Sequence, residues 1–200
     1  MEVSSRLVEN AVNEISKLPG IGKKTALRLA LHLLKQEVQV TDSLCFALNK
    51  LRSEIQYCQD CHMISDFPKC HICSNPLRDH SLICLVEDSK DVMAIENTGQ
   101  YKGIYHILGG VISPINGVGP SELNMATFLN RIPNSSFKEV ILALSPTMDG
   151  DTTSFYITRK LKEFNLKMTT IARGIPIGSE LEYMDEVTLG RSILSRIITE

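Results

Sequence analysis

Apolar positions at the start of the chain recur with a helical period. Leu7, Val8, Ala11, Val12 and Ile15 fall at i, i+1, i+4, i+5 and i+8, which predicts an amphipathic helix over residues 5–17. Leu18-Pro19-Gly20-Ile21-Gly22 interrupts the pattern, since Pro and two Gly cannot continue a stable helix. A second helix is expected from Lys23 to Leu34, with Ala26, Leu27, Ala30, Leu31 and Leu34 along one face. A third, over residues 42–56, is expected to bury Leu44, Leu48, Leu51 and Ile55. The N-terminal part therefore reads as all-helical.

The pattern changes over residues 57–80, which hold four Cys, two Pro and few large aliphatics. So small an apolar supply cannot build a core, and something else must hold this segment together. Beyond it, short aliphatic runs alternate with helical periods. Strands are expected at Leu82–Val86, Ile104–Leu108, Glu139–Leu144 and Lys167–Ala172. Helices are expected at Asp88–Asn97, Ser121–Arg131, Thr152–Phe164 and about 186–198. Continuous aliphatic strands separated by helices predict a mostly parallel sheet covered on both faces. The fold class is α+β multidomain: a helical domain, a cysteine-rich knuckle, an α/β domain and a helical tail. The Gly- and Pro-containing loop Val111–Pro120 is the longest stretch without a period.

Composition narrows the possibilities. Two hundred residues fit one large domain or a few small ones, and 43% hydrophobic with 22% charged residues excludes a wholly disordered chain. No apolar run approaches the ~20 residues that span a bilayer, and MEVSSRLVEN carries no signal-peptide apolar region, so a cytoplasmic protein with no membrane partner is expected. In that compartment the six cysteines are expected as metal ligands or core thiols rather than disulfides. Net charge is −2, but residues 1–35 carry +3 and the remainder −5. A polyanion partner is thus permitted at one end of the chain.

At that basic end, Gly20 and Gly22 remove the Cβ atoms that would hold a ligand away from the backbone, and the next helix begins with unpaired N–H groups. Lys23, Lys24 and, one turn on, Arg28 add positive charge suited to phosphate. A nucleotide P-loop is excluded, because Lys17 stands where its first Gly belongs and Lys24 where Ser or Thr must follow the lysine. A tight turn before a solvated basic helix would show the same GxG, but helix–PGIG–basic helix is sharper: it resembles the helix-hairpin-helix, which grips DNA backbone without reading sequence.

Cys58-x2-Cys61-x8-Cys70-x2-Cys73 offers two sulfur pairs, each on one turn, which together complete a tetrahedral all-thiolate zinc site. Zinc would supply the folding free energy that the segment's missing core cannot. His62 and His71 lie beside these ligands and could substitute, although four Cys suffice. Cys45 and Cys84 are expected to be buried thiols.

A third constellation is acidic. Glu87 ends a strand, Asp91 follows one helical turn later, and Asp149-Gly150-Asp151 follows another strand. In a parallel sheet these carboxylates share one edge and could hold Mg2+ for phosphoryl transfer. Carboxylates in first turns also complement the helix dipole without any metal.

The ordered set of motifs is more specific than any one of them. The helical hairpin with LPGIG, the four-cysteine knuckle and the strand ending in Val86-Glu87 come first. His106-Ile107-Leu108-Gly109-Gly110-Val111-Ile112-Ser113-Pro114, Arg173-Gly174-Ile175-Pro176 and Leu181-Glu182-Tyr183-x-Asp185-Glu186-Val187-Thr188-Leu189 follow. Over essentially its whole length the chain resembles the RecR family of bacterial recombination mediator proteins. That resemblance implies a zinc-containing, DNA-binding protein of recombinational repair that forms ring-shaped oligomers and works with RecO and RecF, its α/β part being a Toprim domain.

Carried over to this sequence, the resemblance makes Gly20, Gly22, Lys23, Lys24 and Arg28 the DNA-binding set, with Lys24 and Arg28 the main contacts. It makes Cys58, Cys61, Cys70 and Cys73 the ligands of one structural Zn2+, and Glu87, Asp91, Asp149 and Asp151 the Toprim acids. Ser145 and Thr147 stand where catalytic Toprim domains carry a DxD pair, which leaves a weak carboxylate set for Mg2+. Lys23 stands where the family often has Pro, and Asp-Gly-Asp replaces a more usual Glu-Gly-Glu.

The expected domains are 1–56, helical with the hairpin; 57–80, zinc finger; 81–177, Toprim; and 178–200, helical tail. The expected function is non-enzymatic: binding single-stranded or gapped DNA and, with RecO- and RecF-like partners, loading the recombinase. A Toprim-type Mg2+-dependent nuclease or primase and a pure protein-interaction scaffold are the alternatives. The tail, with Val187, Leu189, Ile193, Leu194, Ile197 and Ile198, is apolar enough either to cover a neighbouring subunit or to pack within its own chain.

Overall fold

The structure, a computed structural model, describes residues 5–196, which divide between two compact units, Met1–Ile55 and Gln56–Glu200. In the first, α1 (Arg6–Ile15) packs on α2 (Lys23–Leu33) through buried Val12, Ala26 and Ala30, with Val8, Ile15, Ile21 and Leu27 around them. Alanines at the contact let the two helices approach closely. Between the helices Gly20 takes the left-handed conformation, φ 78°, and the Ile21 N–H closes the turn on the Leu18 carbonyl at 3.1 Å.

The third helix, α3 (Val38–Glu54), departs from expectation. It begins at Val38, earlier than residue 42, with Glu37 in extended conformation (φ −60°, ψ 145°) just before it. None of its residues is buried, and Leu44, Leu48 and Leu51 are 46%, 57% and 58% exposed. Ile55, just past its end, is half-buried. The expected burial of this face is therefore corrected: its leucines have a helical period but meet no partner among the described residues. The same correction applies to Cys45, which is exposed.

The second unit opens with a small antiparallel pair, β1 (Gln56–Tyr57) and β2 (Ile64–Ser65), followed by the single turn α4 (His71–Ser74). Its main sheet is wholly parallel. β3 (Asp79–Val86), β4 (Gly103–Ile107), β5 (Glu139–Ala143) and β6 (Lys167–Thr170) lie in the order β4-β3-β5-β6. The run Ile83–Val86 is buried throughout, as a central parallel strand requires, with Cys84 in register between Tyr105 and Ile141. Buried Cys84 fits the expectation of a core thiol.

The helices of this unit are α5 (Ser89–Asn97), α6 (Met125–Arg131), α7 (Met148–Leu161) and α8 (Glu186–Leu194). Two starts differ from the sequence pattern. α6 begins after a 3-10 turn, Pro120–Glu122, and so later than Ser121. α7 begins earlier than Thr152, because Thr147 caps it by accepting the Gly150 N–H on Oγ1 at 3.1 Å. The loop after β4 is itself folded, with a 3-10 turn at Pro114–Asn116 and a bridge between Ser113 and Val118. In α8, Asp185 caps the first turn and Val187 and Ile193 are exposed, while Ile197 and Ile198 lie outside the described residues.

Candidate functional site

The four knuckle cysteines are brought together. Their sulfurs all lie within 4.8 Å of one another and all four residues are buried. Tetrahedral zinc with Zn–S bonds of about 2.3 Å places sulfurs roughly 3.8 Å apart, and Cys61 Sγ and Cys70 Sγ are 3.5 Å apart. The local backbone explains the gathering. The Cys58 N–H donates to the Met63 carbonyl at 2.8 Å and the His62 N–H to the Cys58 carbonyl at 2.9 Å, with His62 at φ 63°. Backbone amides also point at sulfur, from Cys70 to Cys58 Sγ at 3.3 Å and from Cys73 to Cys70 Sγ at 3.5 Å.

Within the cluster the thiols are linked by their own hydrogen bonds. Hydrogen bonds from Cys61 and Cys73 hold the Cys70 thiol far below the ordinary thiol range, while Cys61 and Cys73, donating to their neighbours and desolvated, are pushed up. Four buried sulfurs cannot all ionise side by side unless a positive charge joins them. The donor set thus fits zinc. His62 and His71 are not needed as ligands: His62 Nε2 lies 2.8 Å from Thr127 Oγ1, and His71 is exposed.

The knuckle is seated on the parallel sheet. The Ile107 N–H donates to the Cys61 carbonyl at 2.9 Å, and the His62 ring stands edge-on to His106 with centroids 5.2 Å apart. His106 is fully buried. Its Nε2–H donates to the Asn124 carbonyl at 2.8 Å, and Nδ1 accepts from the Arg131 guanidinium at 3.1 Å. Burial first, then the Arg131 charge, lowers the His106 pKa to about 3 and keeps the ring neutral. Nothing in the spacing of His106 and Arg131 along the chain announces this junction.

At the hairpin, Gly22 precedes α2 without any side-chain cap, and the first i to i−4 bond runs from the Ala26 N–H to the Gly22 carbonyl at 2.9 Å. The amides of Lys23, Lys24 and Thr25 are therefore left for an outside acceptor. A Cβ at either Gly20 or Gly22 would meet nothing within 4 Å, so the space in front of the turn is open. Lys23, Lys24 and Arg28 are exposed, and none has an ion-pair partner among the described residues. Nearby Lys17 differs, since it is paired with Glu14 at 2.7 Å.

The acidic residues are placed on one sheet edge but are engaged separately. Among the described residues, the four cysteines are the one group of three or more metal-ligating side chains within 4.8 Å, so Glu87, Asp91, Asp149 and Asp151 do not converge to that distance. Asp91 closes a capping box by accepting the Asp88 N–H on Oδ2 at 3.0 Å. Asp151 accepts from Arg173 Nη2 at 2.5 Å, which holds its carboxyl below the usual range. Asp149 sits half-buried in the first turn of α7. Glu87 has no such partner among the described residues, and burial, then Asp91 and Asp88, raises its pKa.

Comparison with known proteins follows the same order of parts. Residues 8–51 match the family model described as RecR, helix-hairpin-helix; 55–75 match the RecR four-cysteine zinc finger domain; 81–172 match Toprim domain; and 174–197 match RecR, C-terminal. The Recombination protein RecR of Amoebophilus asiaticus is 60% identical over 198 residues, 99% of this chain and 99% of the relative. The chain belongs to the RecR family. The RecR proteins of Flavobacterium johnsoniae and Cytophaga hutchinsonii are each 59% identical, covering 98% and 100% of this chain and 96% and 98% of the relatives. The RecR zinc-finger match and the four-cysteine cluster together support a structural zinc. The RecR relatives are named recombination proteins, and a Toprim match does not by itself establish catalysis. Among the described residues no helix is long and apolar enough to cross a membrane.

Proposed function

We propose that this RecR-family chain is a non-enzymatic DNA-binding protein of recombinational repair that acts on single-stranded or gapped DNA. One observation carries the reading: an uncapped helix start behind an open glycine turn, with three cations beside it, Lys23, Lys24 and Arg28, that have no ion-pair partner among the described residues. Amides and cations in that arrangement bind phosphate without reading bases. Cys58, Cys61, Cys70 and Cys73 hold one zinc ion, which supplies a cross-link in place of a core and no chemistry. RecO- and RecF-like partners and recombinase loading belong to the same reading through the family, as does a cytoplasmic location.

A non-enzymatic role draws support from the acids. Asp91 and Asp151 are already committed to a helix cap and to Arg173, and Ser145 and Thr147 replace two carboxylates. What is left is poor for clamping a divalent ion during phosphoryl transfer. Few cations per chain give weak binding, which a homo-oligomeric ring raises through avidity. The experiment is a DNA titration at two salt concentrations alongside a solution mass measurement. Salt-sensitive, sequence-independent binding by an oligomer is expected, and absence of DNA binding at low salt refutes the reading in favour of a protein scaffold.

A further inference from the structure

We propose that the DNA track does not end at the hairpin turn but continues along α2 through His32 to Lys35 and takes a single strand, with its sugars or bases against Leu27 and Leu31. This rests on the DNA-binding reading above and extends it. A surface groove of about 450 Å3 is lined by Lys24, Leu27, Arg28, Leu31, His32 and Lys35. Lys24, Arg28 and His32 recur at intervals of four residues and so lie on one helix face. Each interval advances about 6 Å along the axis, on the order of the step between neighbouring phosphates of one strand. Lys35 extends the row just past the end of α2, where the Lys35 N–H still bonds to the His32 carbonyl at 3.1 Å. From Lys24 to Lys35 the row spans roughly 16 Å.

Charge leaves this face for an anion. No Asp or Glu occurs anywhere in α2, and Lys35 has no ion-pair partner among the described residues. By contrast, Lys50 on α3 is neutralised by Glu54 at 3.7 Å. The leucines decide between nucleic-acid forms. Leu31 is 44% exposed inside the cationic row, and an apolar strip gains nothing from the polar phosphate ridge of a duplex. A single strand can lay sugar and base faces on it while its phosphates meet the cations.

The test is fluorescence anisotropy of the full chain with oligo-dT of ~12 nucleotides, within the range of single-strand site sizes, across a salt series. Losing one phosphate contact should lower the salt slope by about 0.7 and weaken binding roughly fivefold at ~0.1 M salt. Lys35→Ala is expected to do both, His32→Ala to weaken binding, and Leu31→Ser to weaken single-strand binding without changing the slope. Lys50→Ala is the control expected to change neither. If Lys35→Ala and His32→Ala leave affinity and slope intact while Lys24→Glu with Arg28→Glu abolishes binding, the track ends at the hairpin; the extension is overturned and DNA binding stands. An effect of Lys35→Ala on duplex alone overturns the single-strand assignment, and a wild-type chain that binds no DNA takes the underlying reading down as well.

Discussion

Arg173, in the segment after β6, donates from Nη2 to Asp151 Oδ1 at 2.5 Å, so the Toprim edge carries its own cation on the first turn of α7. The pair keeps the Asp151 carboxyl below its usual range. It sits beside a close approach, since a Cβ on Gly150 would collide with the Ser145 carbonyl oxygen. Sequence spacing alone suggests a divalent-cation site here; the fold instead joins one of the four acids to an arginine from a distant part of the chain.

A double-mutant cycle on Asp151→Asn and Arg173→Ala should therefore show coupling, at most about 1 kcal/mol because the pair is half-exposed and screened. The sign with pH follows from the depressed Asp151 pKa. The coupling is present above the unfolded value near ~3.9 and disappears as pH falls through the folded one. Additive single mutants at neutral pH would show that the contact contributes nothing.

Glu87→Gln tests the acid that has no side-chain partner among the described residues. Burial and the neighbouring Asp91 and Asp88 raise its pKa, so ionised Glu87 disfavours the folded state at neutral pH. The variant should be modestly more stable than wild type at pH 7, with the gain fading as pH falls and Glu87 protonates in both states. Neither protein should cleave DNA or synthesise primers with Mg2+. A Mg2+-dependent nuclease in the wild type that Glu87→Gln abolishes would reverse the functional reading.

His106 gives an opposite pH dependence. Neutral in the fold, with its pKa lowered to about 3, it takes a proton on unfolding below the free histidine value. Stability from this group is full above about pH 6.5 and falls as pH drops, by roughly 1.4 kcal/mol at one unit below that value. His106→Gln keeps an amide donor for the Asn124 carbonyl and removes the titration, so the difference between variant and wild type in urea melts should narrow from pH 7 to pH 5.5. A constant difference would mean that His106 is not held neutral.

How much of this is legible in the sequence varies with the range of the interaction. The strand cores, the hairpin turn and the four-cysteine spacing are local patterns, and the chain wears them openly. Burial on α3 is not legible, because helical period in Leu44, Leu48 and Leu51 reports a face without saying that anything covers it. The capping box at Asp88 and Asp91 is local, and a first-turn carboxylate is one of the two readings that its spacing allows. His106 with Arg131, and Asp151 with Arg173, join residues that are far apart in sequence, and no periodicity encodes such partners.

Zinc removal should show where the metal's contribution ends. One Zn2+ per chain is expected from the clustered cysteines, and Cys58→Ser or Cys73→Ser should lose it. Residues 56–75 should then become protease-sensitive first, and amide exchange should next rise at Ile107, whose N–H bonds to the Cys61 carbonyl. Far less than one equivalent of zinc in freshly purified, chelator-free protein would refute the metal assignment.

The hairpin carries the decisive prediction. Lys24 opens α2 and Arg28 lies four residues on, so both project from one face beside the Gly20–Gly22 turn. Lys24→Glu with Arg28→Glu should remove most DNA binding, leave zinc content and helical signal unchanged, and do so equally for unrelated sequences, because backbone contacts carry no base information. Reversing Arg52 or Lys138 provides the comparison, since both are exposed cations outside the motif. If affinity followed total charge, each of the four reversals would weaken binding alike; amides and cations positioned around an open turn make the first two dominate. Equal losses at all four positions, read by titration at fixed salt, would place the DNA site elsewhere on the chain.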